Sequence, residues 1–197
     1  MKKIHFRKIF FYDPTLSKKY SKYQGYKLIA LQKKDPPISN TKHIIYPFKF
    51  DVIYTSNHLR GKQTANWVAR TNDLPKPKPT YLLNEVKFNI SKLATKKEYD
   101  NFGSKIIRKR FLDAFIANRL DESQNEIEER DEKFMLIVKN DTFNNYLVIS
   151  HSFIMKIYEA YCDDHDFFKN PKILKKYIDI NNKTYENGKG FDRVFTT

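Results

Sequence analysis

Residues 50–69, FDVIYTSNHLRGKQTANWVA, constrain the fold more than any other part of the chain, because they read as a strand that turns directly into a helix. Val52, Ile53 and Tyr54 form a short apolar run of β-branched and aromatic residues, the composition of a strand buried on both faces. Ser56 and Asn57 are strong helix N-cap types, and Leu59, Ala65, Val68 and Ala69 come after them at helical spacing. A buried strand continued at once by such a helix is the repeating unit of a parallel sheet with helices on its faces. Arg60 falls in the first turn, where free backbone N–H groups and the positive end of the helix dipole favour an anion. The simpler alternative is an ordinary βα unit whose Arg60 is merely solvated.

Composition narrows the setting. A chain of 197 residues can bury a single core, and 40% hydrophobic with 30% charged residues excludes a disordered or repetitive polypeptide. No apolar run approaches the roughly 20 residues of a membrane-spanning helix. The one cysteine, Cys162, excludes an intramolecular disulfide. Lys2, Lys3, Arg7 and Lys8 precede any acid, as in a mitochondrial presequence, but IHFRKIFF also reads as a strand and contains no Ser. The expectation is an intracellular protein, cytoplasmic or mitochondrial, with no clear cleavable signal. The net charge of +14 would draw it toward nucleic acid, anionic lipid or an acidic partner. The lysines are scattered, however, and no nucleic-acid motif is present, so nucleic acid is the less favoured partner. Abundant Lys, Asn, Ile and Tyr also fit plain compositional drift.

TSNHLRGKQTA resembles the S-x-x-x-R-x-x-Q-T-A signature of the histidine phosphatases, the phosphoglycerate mutase-like superfamily, with Ser56, Arg60, Gln63, Thr64 and Ala65 on the pattern in register. The resemblance covers roughly residues 4–161. It implies an α/β fold, a three-layer α/β/α sandwich with a mostly parallel central sheet. Residues 1–197 would form one domain, with a helical insertion around 96–139. In the family the Arg of this motif holds the transferred phosphoryl group, which makes Arg60 a phosphate-binding candidate.

Residues 3–11 read as the first strand of that sheet. In the family this strand ends in Arg-His-Gly or a similar triplet, and its His becomes phosphohistidine. Here the position reads Arg7-Lys8-Ile9. A second register, anchored on Tyr12-Asp13-Pro14, puts Lys8 on the Arg and Ile9 on the His. Neither contains a His, and His5 lies too early, mid-strand. The difference is chemical. A neutral imidazole is nucleophilic near pH 7, whereas a Lys ammonium, with a reference pKa of roughly 10.4, has no free lone pair. Losing the nucleophile of a covalent mechanism costs about 10⁴–10⁶ in rate. Arg7 and Lys8 would still bind phosphate, so the expectation is binding without turnover.

Leu16-Ser17-Lys18-Lys19 resembles the family's Leu-Thr-x-x-Gly, with Tyr20 in place of the Gly. Residues 20–32 read as a helix and 33–40, with a Pro pair, as a loop. Residues 72–80 are Pro-rich and extended. Beyond them Leu83-Asn84-Glu85 resembles the family's Leu-x-Glu, whose Glu is the general acid, though Phe88-Asn89-Ile90 departs from the family's continuation of that motif. Glu85 is thus a candidate acid, the alternative being a solvated loop residue. Residues 96–118 and 121–139 have helical period, with stripes of Ile107, Phe111, Ala114 and Phe115, and of Ile127, Phe134, Ile137 and Val138. Glu122-Ser123 and Arg130 look like the family's pattern in this helix, but the charge run reads as a solvated face. Residues 146–151, YLVISH, read as a buried strand ending in a polar pair and resemble the family's V-x-S-H-G, whose His lines the phosphate pocket. His151 then lies at a strand's carboxyl end, where open α/β sheets bind ligands. His43, His58 and His165 have no such context and read as surface or core residues. Residues 163–176 read as loop and short helix, and Asn187-Gly188 as the turn of a terminal edge hairpin.

The candidate pocket therefore comprises Arg60, His151, Arg7 or Lys8, and Glu85, with no metal or cofactor expected. Three functions compete. The favoured one is a pseudoenzyme that binds phosphate or a phosphorylated ligand without phosphohistidine chemistry. The others are a non-catalytic scaffold or accessory subunit that meets a protein assembly through its basic surface, and an active phosphatase with an unrecognised nucleophile.

Overall fold

The computed structural model describes residues 1–8, 45–102, 104–177, 185 and 188–195. The expected helix over 20–32, the loop over 33–40 and positions 9–11 of the first strand, Ile9 included, lie outside the described residues. Five strands, β1 (Lys2–Lys8), β2 (Val52–Ser56), β3 (Lys78–Thr80), β4 (Asn145–Ser150) and β5 (Gly190–Phe195), form one sheet in the order β3-β2-β4-β1-β5. β3, β2, β4 and β1 are mutually parallel, and β5 runs antiparallel along β1. The order places the two motif-bearing strands, β2 and β4, side by side, with Thr55 opposite Ile149.

Among the described residues the α-helices are α1 (Leu59–Thr71), α2 (Ile90–Leu93), α3 (Lys96–Phe102), α4 (Ser104–Ile116), α5 (Gln124–Asn140) and α6 (Ser152–Asp163). Strand alternation divides the core in two. Ile4, Phe6, Val52, Tyr54, Tyr146 and Val148 meet Phe134 and Val138 of α5 and Ile154, Ile157 and Tyr158 of α6 on one face. Ile53, Leu147 and Ile149 meet Ala65, Val68 and Ala69 of α1 on the other. That is a three-layer α/β/α sandwich. β4 is apolar on successive residues because it is covered on both sides.

Local chemistry sets the boundaries. Ser123 and Glu126 form a reciprocal capping box that starts α5. The buried Lys2 ammonium closes its other end, donating to Val138 O at 2.5 Å and Lys139 O at 3.0 Å. Ile137, expected in the buried stripe of α5, is instead exposed, while Phe134 and Val138 four residues apart carry the contact. The extended Pro-rich segment supplies β3, a three-residue strand at the sheet's edge among the described residues, where Pro79 is tolerated. The chain does finish as an edge strand, but its partner among the described residues is β1. Gly190 is required there: a Cβ on it would sit 1.8 Å from Phe6 O.

Candidate active site

β2 and β4 end together, and their last side chains turn toward each other. Ser56 Oγ lies 2.9 Å from Nε2 of His151, both groups buried. His151 caps α6 in extended backbone and Ser150 Oγ donates to Leu83 O at 2.7 Å, which fixes the turn at Tyr81–Leu83 over the junction. Ser56 and Asn57, expected as caps of α1, do other work. The Ser56 hydroxyl is taken by His151, the Asn57 N–H donates to Asn84 Oδ1 at 2.8 Å, and the cap position falls to His58. Gly61 makes room for this, since a Cβ there would lie 2.3 Å from Ser56 Oγ.

His151 is held neutral. Burial pushes its pKa well below 6.5, and the nearby His58, Arg60 and Arg130 push the same way. The His58 ring meets it edge to face, centroids 4.9 Å apart. Sequence pattern assigns no role to His58, although it stands two residues before Arg60 in the motif itself.

Glu85 reaches the same junction. Its carboxylate accepts from the backbone N–H groups of Phe153 (3.3 Å), Ile154 (3.0 Å) and Val86 (3.1 Å), so it sits on the N-terminus of α6 just behind His151. Burial nevertheless outweighs these donors and raises its pKa. Glu122 and Arg130 are not a solvated face. They form a buried ion pair at 3.2 Å, with Arg130 Nη1 donating to Asn84 O at 2.7 Å and Glu122 accepting from Lys87 N–H at 2.9 Å. Asn84, bonded to both Arg130 and Asn57, thereby links α5 to the start of α1. The run of acids and bases along and before α5 hides this pair, because among its members Glu122, Arg130 and Asp131 turn inward while their neighbours do not.

The chain has relatives among known proteins. The family profile described as histidine phosphatase superfamily (branch 1) matches residues 42–191, which contain Ser56, His58, Arg60, Glu85 and His151. The chain belongs to the histidine phosphatase superfamily. Among solved structures, the α-ribazole phosphatase from Shigella flexneri is similar with a TM-score of 0.54 at 14% identity, covering 85% of this chain and 83% of that one. Bacillus stearothermophilus YhfR gives 0.52 at 14% identity over 87% and 85%. At such identities the likeness is one of fold. No curated protein matches the chain.

The histidine phosphatase profile begins after β1, and β1 is where expectation and structure part. Arg7 turns away from β4. Its guanidinium donates to Phe6 O at 2.8 Å, Phe191 O at 3.2 Å and Asp192 Oδ1 at 2.6 Å, on the β5 side of the sheet. Lys8, on the opposite face, donates from Nζ to Tyr185 O at 2.9 Å. His5 packs against Phe48 and Phe50 as a core histidine beside Asp192. Arg60 and His58 thus lie near enough to His151 to act on its charge, Glu85 sits on the backbone just after His151, and Arg7 is held apart on the β5 edge. Among the described residues no group of three or more His, Cys, Asp or Glu could hold a metal ion, and no helix is long and apolar enough to cross a membrane.

Proposed function

We propose that the chain binds inorganic phosphate, or the phosphoryl group of a phosphorylated ligand, where β2 meets α1 and β4 meets α6, without forming a phosphohistidine on its first strand. The observation that carries this reading is the buried, neutral His151, bonded to Ser56 and acted on by the charge of Arg60 at a helix N-terminus. A neutral imidazole can donate to a phosphate oxygen while Arg60 supplies the charge. Glu85, with its pKa raised by burial, is suited to hold a proton near a leaving oxygen. In this arrangement β1 supplies no nucleophile, since its only imidazole is His5 in the core.

The test is a thermal shift in millimolar phosphate or vanadate. The wild type is expected to gain stability, as any ligand selective for the native state must produce. Arg60→Ala should lose that gain, because charge-assisted hydrogen bonds are worth about 1.5–3 kcal/mol each, or about 10- to 100-fold in affinity. A shift of equal size in Arg60→Ala would overturn the assignment.

A further inference from the structure

We propose that the organic part of the phosphorylated ligand is a bulky apolar group, and that it packs on an apolar rim formed by Leu59, Tyr81, Phe88 and Phe153. The inference rests on the phosphate-binding reading above and names the class of molecule selected there, the phosphate monoester of an apolar alcohol or a phenol. One loop organises this rim. Thr80 pairs with Ser56, so Tyr81 leaves β3 one residue beyond the end of β2. Leu83 O then accepts from Ser150 Oγ at the end of β4, and Asn84 Oδ1 from the Asn57 N–H at the entry to α1. The Glu85 carboxylate sits on the first turn of α6, and the Phe88 ring meets that of Phe153 edge to face, centroids 6.3 Å apart. Residues 81–88 thus cross the carboxyl ends of β2 and β4.

Apolar side chains stand at both ends of that loop. Tyr81 is 58% exposed, and Leu59, next to Arg60 in the first turn of α1, is 40% exposed. At the other end Phe153, two residues after His151, stacks on the fully buried Phe111 with centroids 4.0 Å apart. Phe88 meets Phe111 edge to face at 5.2 Å. Phe88 and Phe153 are both half-buried, so the core fixes their rings while part of each still meets solvent. Exposed apolar residues scattered singly are ordinary on a protein surface. These four gather instead at the two strand-to-helix junctions that carry Arg60 and His151.

The two halves of the site recognise different chemistry. Arg60 and His151 take the phosphoryl group, whatever it is attached to. A ring or branched chain laid on Tyr81 and Leu59 removes apolar surface of both partners from water, and ring against ring adds an orientational preference. A sugar hydroxyl or a second carboxylate in the same place would give up water against apolar side chains. The rings of Phe88 and Phe153 are already held by Phe111, so little side-chain freedom is lost when a ligand meets them. Binding alone is involved, and no covalent bond is made or broken.

The experiment measures, by calorimetry on the full chain, the affinities of three phosphonates, whose carbon–phosphorus bond resists hydrolysis: methylphosphonate, 2-hydroxyethylphosphonate and benzylphosphonate. The wild type is expected to bind benzylphosphonate at least about 10-fold more tightly than either of the others. In Tyr81→Ser and in Leu59→Asn that preference should fall to about threefold or less, with methylphosphonate bound within about twofold of the wild type. Both side chains are exposed, so neither change disturbs the core. Equal affinity of the wild type for all three phosphonates would overturn the inference and leave phosphate binding intact. So would a benzyl preference that survives undiminished in both variants. A wild type that binds none of the three, and gains no stability from phosphate or vanadate, would sink both readings together.

Discussion

Two strand ends in the same sheet set positive charge among different neighbours. At the end of β1, the Arg7 guanidinium is matched by Asp192 and two carbonyl oxygens, and the Lys8 ammonium by Tyr185 O. Where β2 and β4 end, two acids among the described residues have other partners: Glu122 pairs with Arg130, and Glu85 accepts from the N-terminus of α6. The residue that Arg60 and His58 act upon is an uncharged ring. A carboxylate seated on a guanidinium competes with an incoming anion, whereas a neutral imidazole beside one does not. Basic residues alone do not make a phosphate site. Their partners decide.

The contrast can be broken most forcefully at Arg130. Arg130→Ala would leave Glu122 buried without its partner and free Asn84 from α5. The expected cost is about 3–5 kcal/mol, or roughly 10 °C in melting temperature. A thermal melt showing little change would mean that the pair does not hold the junction. A smaller effect should come from pH. The His151 pKa lies below 6.5 in the folded state, so the unfolded chain binds its proton first as pH falls. Its contribution is complete above about pH 6.5 and is lost on acidification below that, by up to about 1.4 kcal/mol per pH unit. Glu85 and the buried Asp131 have raised pKa values and contribute with the opposite sign, near and above the ordinary carboxylate range. The difference between wild type and His151→Asn in denaturant titrations at several pH values isolates the histidine. A difference that does not vary between pH 6.5 and 5 would contradict a neutral His151.

The smallest effect is expected on the other side of the contrast. Arg7→Ala should cost no more than about 1 kcal/mol, because Asp192 has a side chain 53% exposed and recovers water. Its phosphate or vanadate thermal shift should match that of the wild type. A lost shift would place Arg7 back in the site.

Much of the architecture is legible in the amino-acid order alone. The runs at Val52–Ser56 and Asn145–Ser150 announce buried parallel strands, and apolar period announces the helices after them. The places of Arg60 and His151 at strand-to-helix junctions are readable because motif and βα position agree. The illegible parts depend on contacts distant in sequence. The inward turn of Glu122 and Arg130 needs Asn84, and the meeting of His58 with His151 needs β2 beside β4. The commitment of Arg7 to β5 depends on Asp192, which the local pattern places in a terminal hairpin with no sign of its partner. Ser56 shows the limit on a finer scale. Its residue type favours capping, but a buried imidazole offers the stronger bond.

The Lys2 ammonium on the last carbonyls of α5 has a consequence for how the molecule is made. Among the described residues the strand partners of β1 are distant in sequence: β4 and the end of α5 lie beyond residue 137, and β5 beyond residue 189. During synthesis the first strand must wait unpaired until most of the chain has emerged, while β2 and α1 can associate at once. An exposed strand of alternating apolar residues invites aggregation in that interval. Lys2, Lys3, Arg7 and Lys8 flank Ile4 and Phe6 with like charge, which keeps such segments from joining one another. The basic character of β1 then serves the nascent chain more than it serves a ligand.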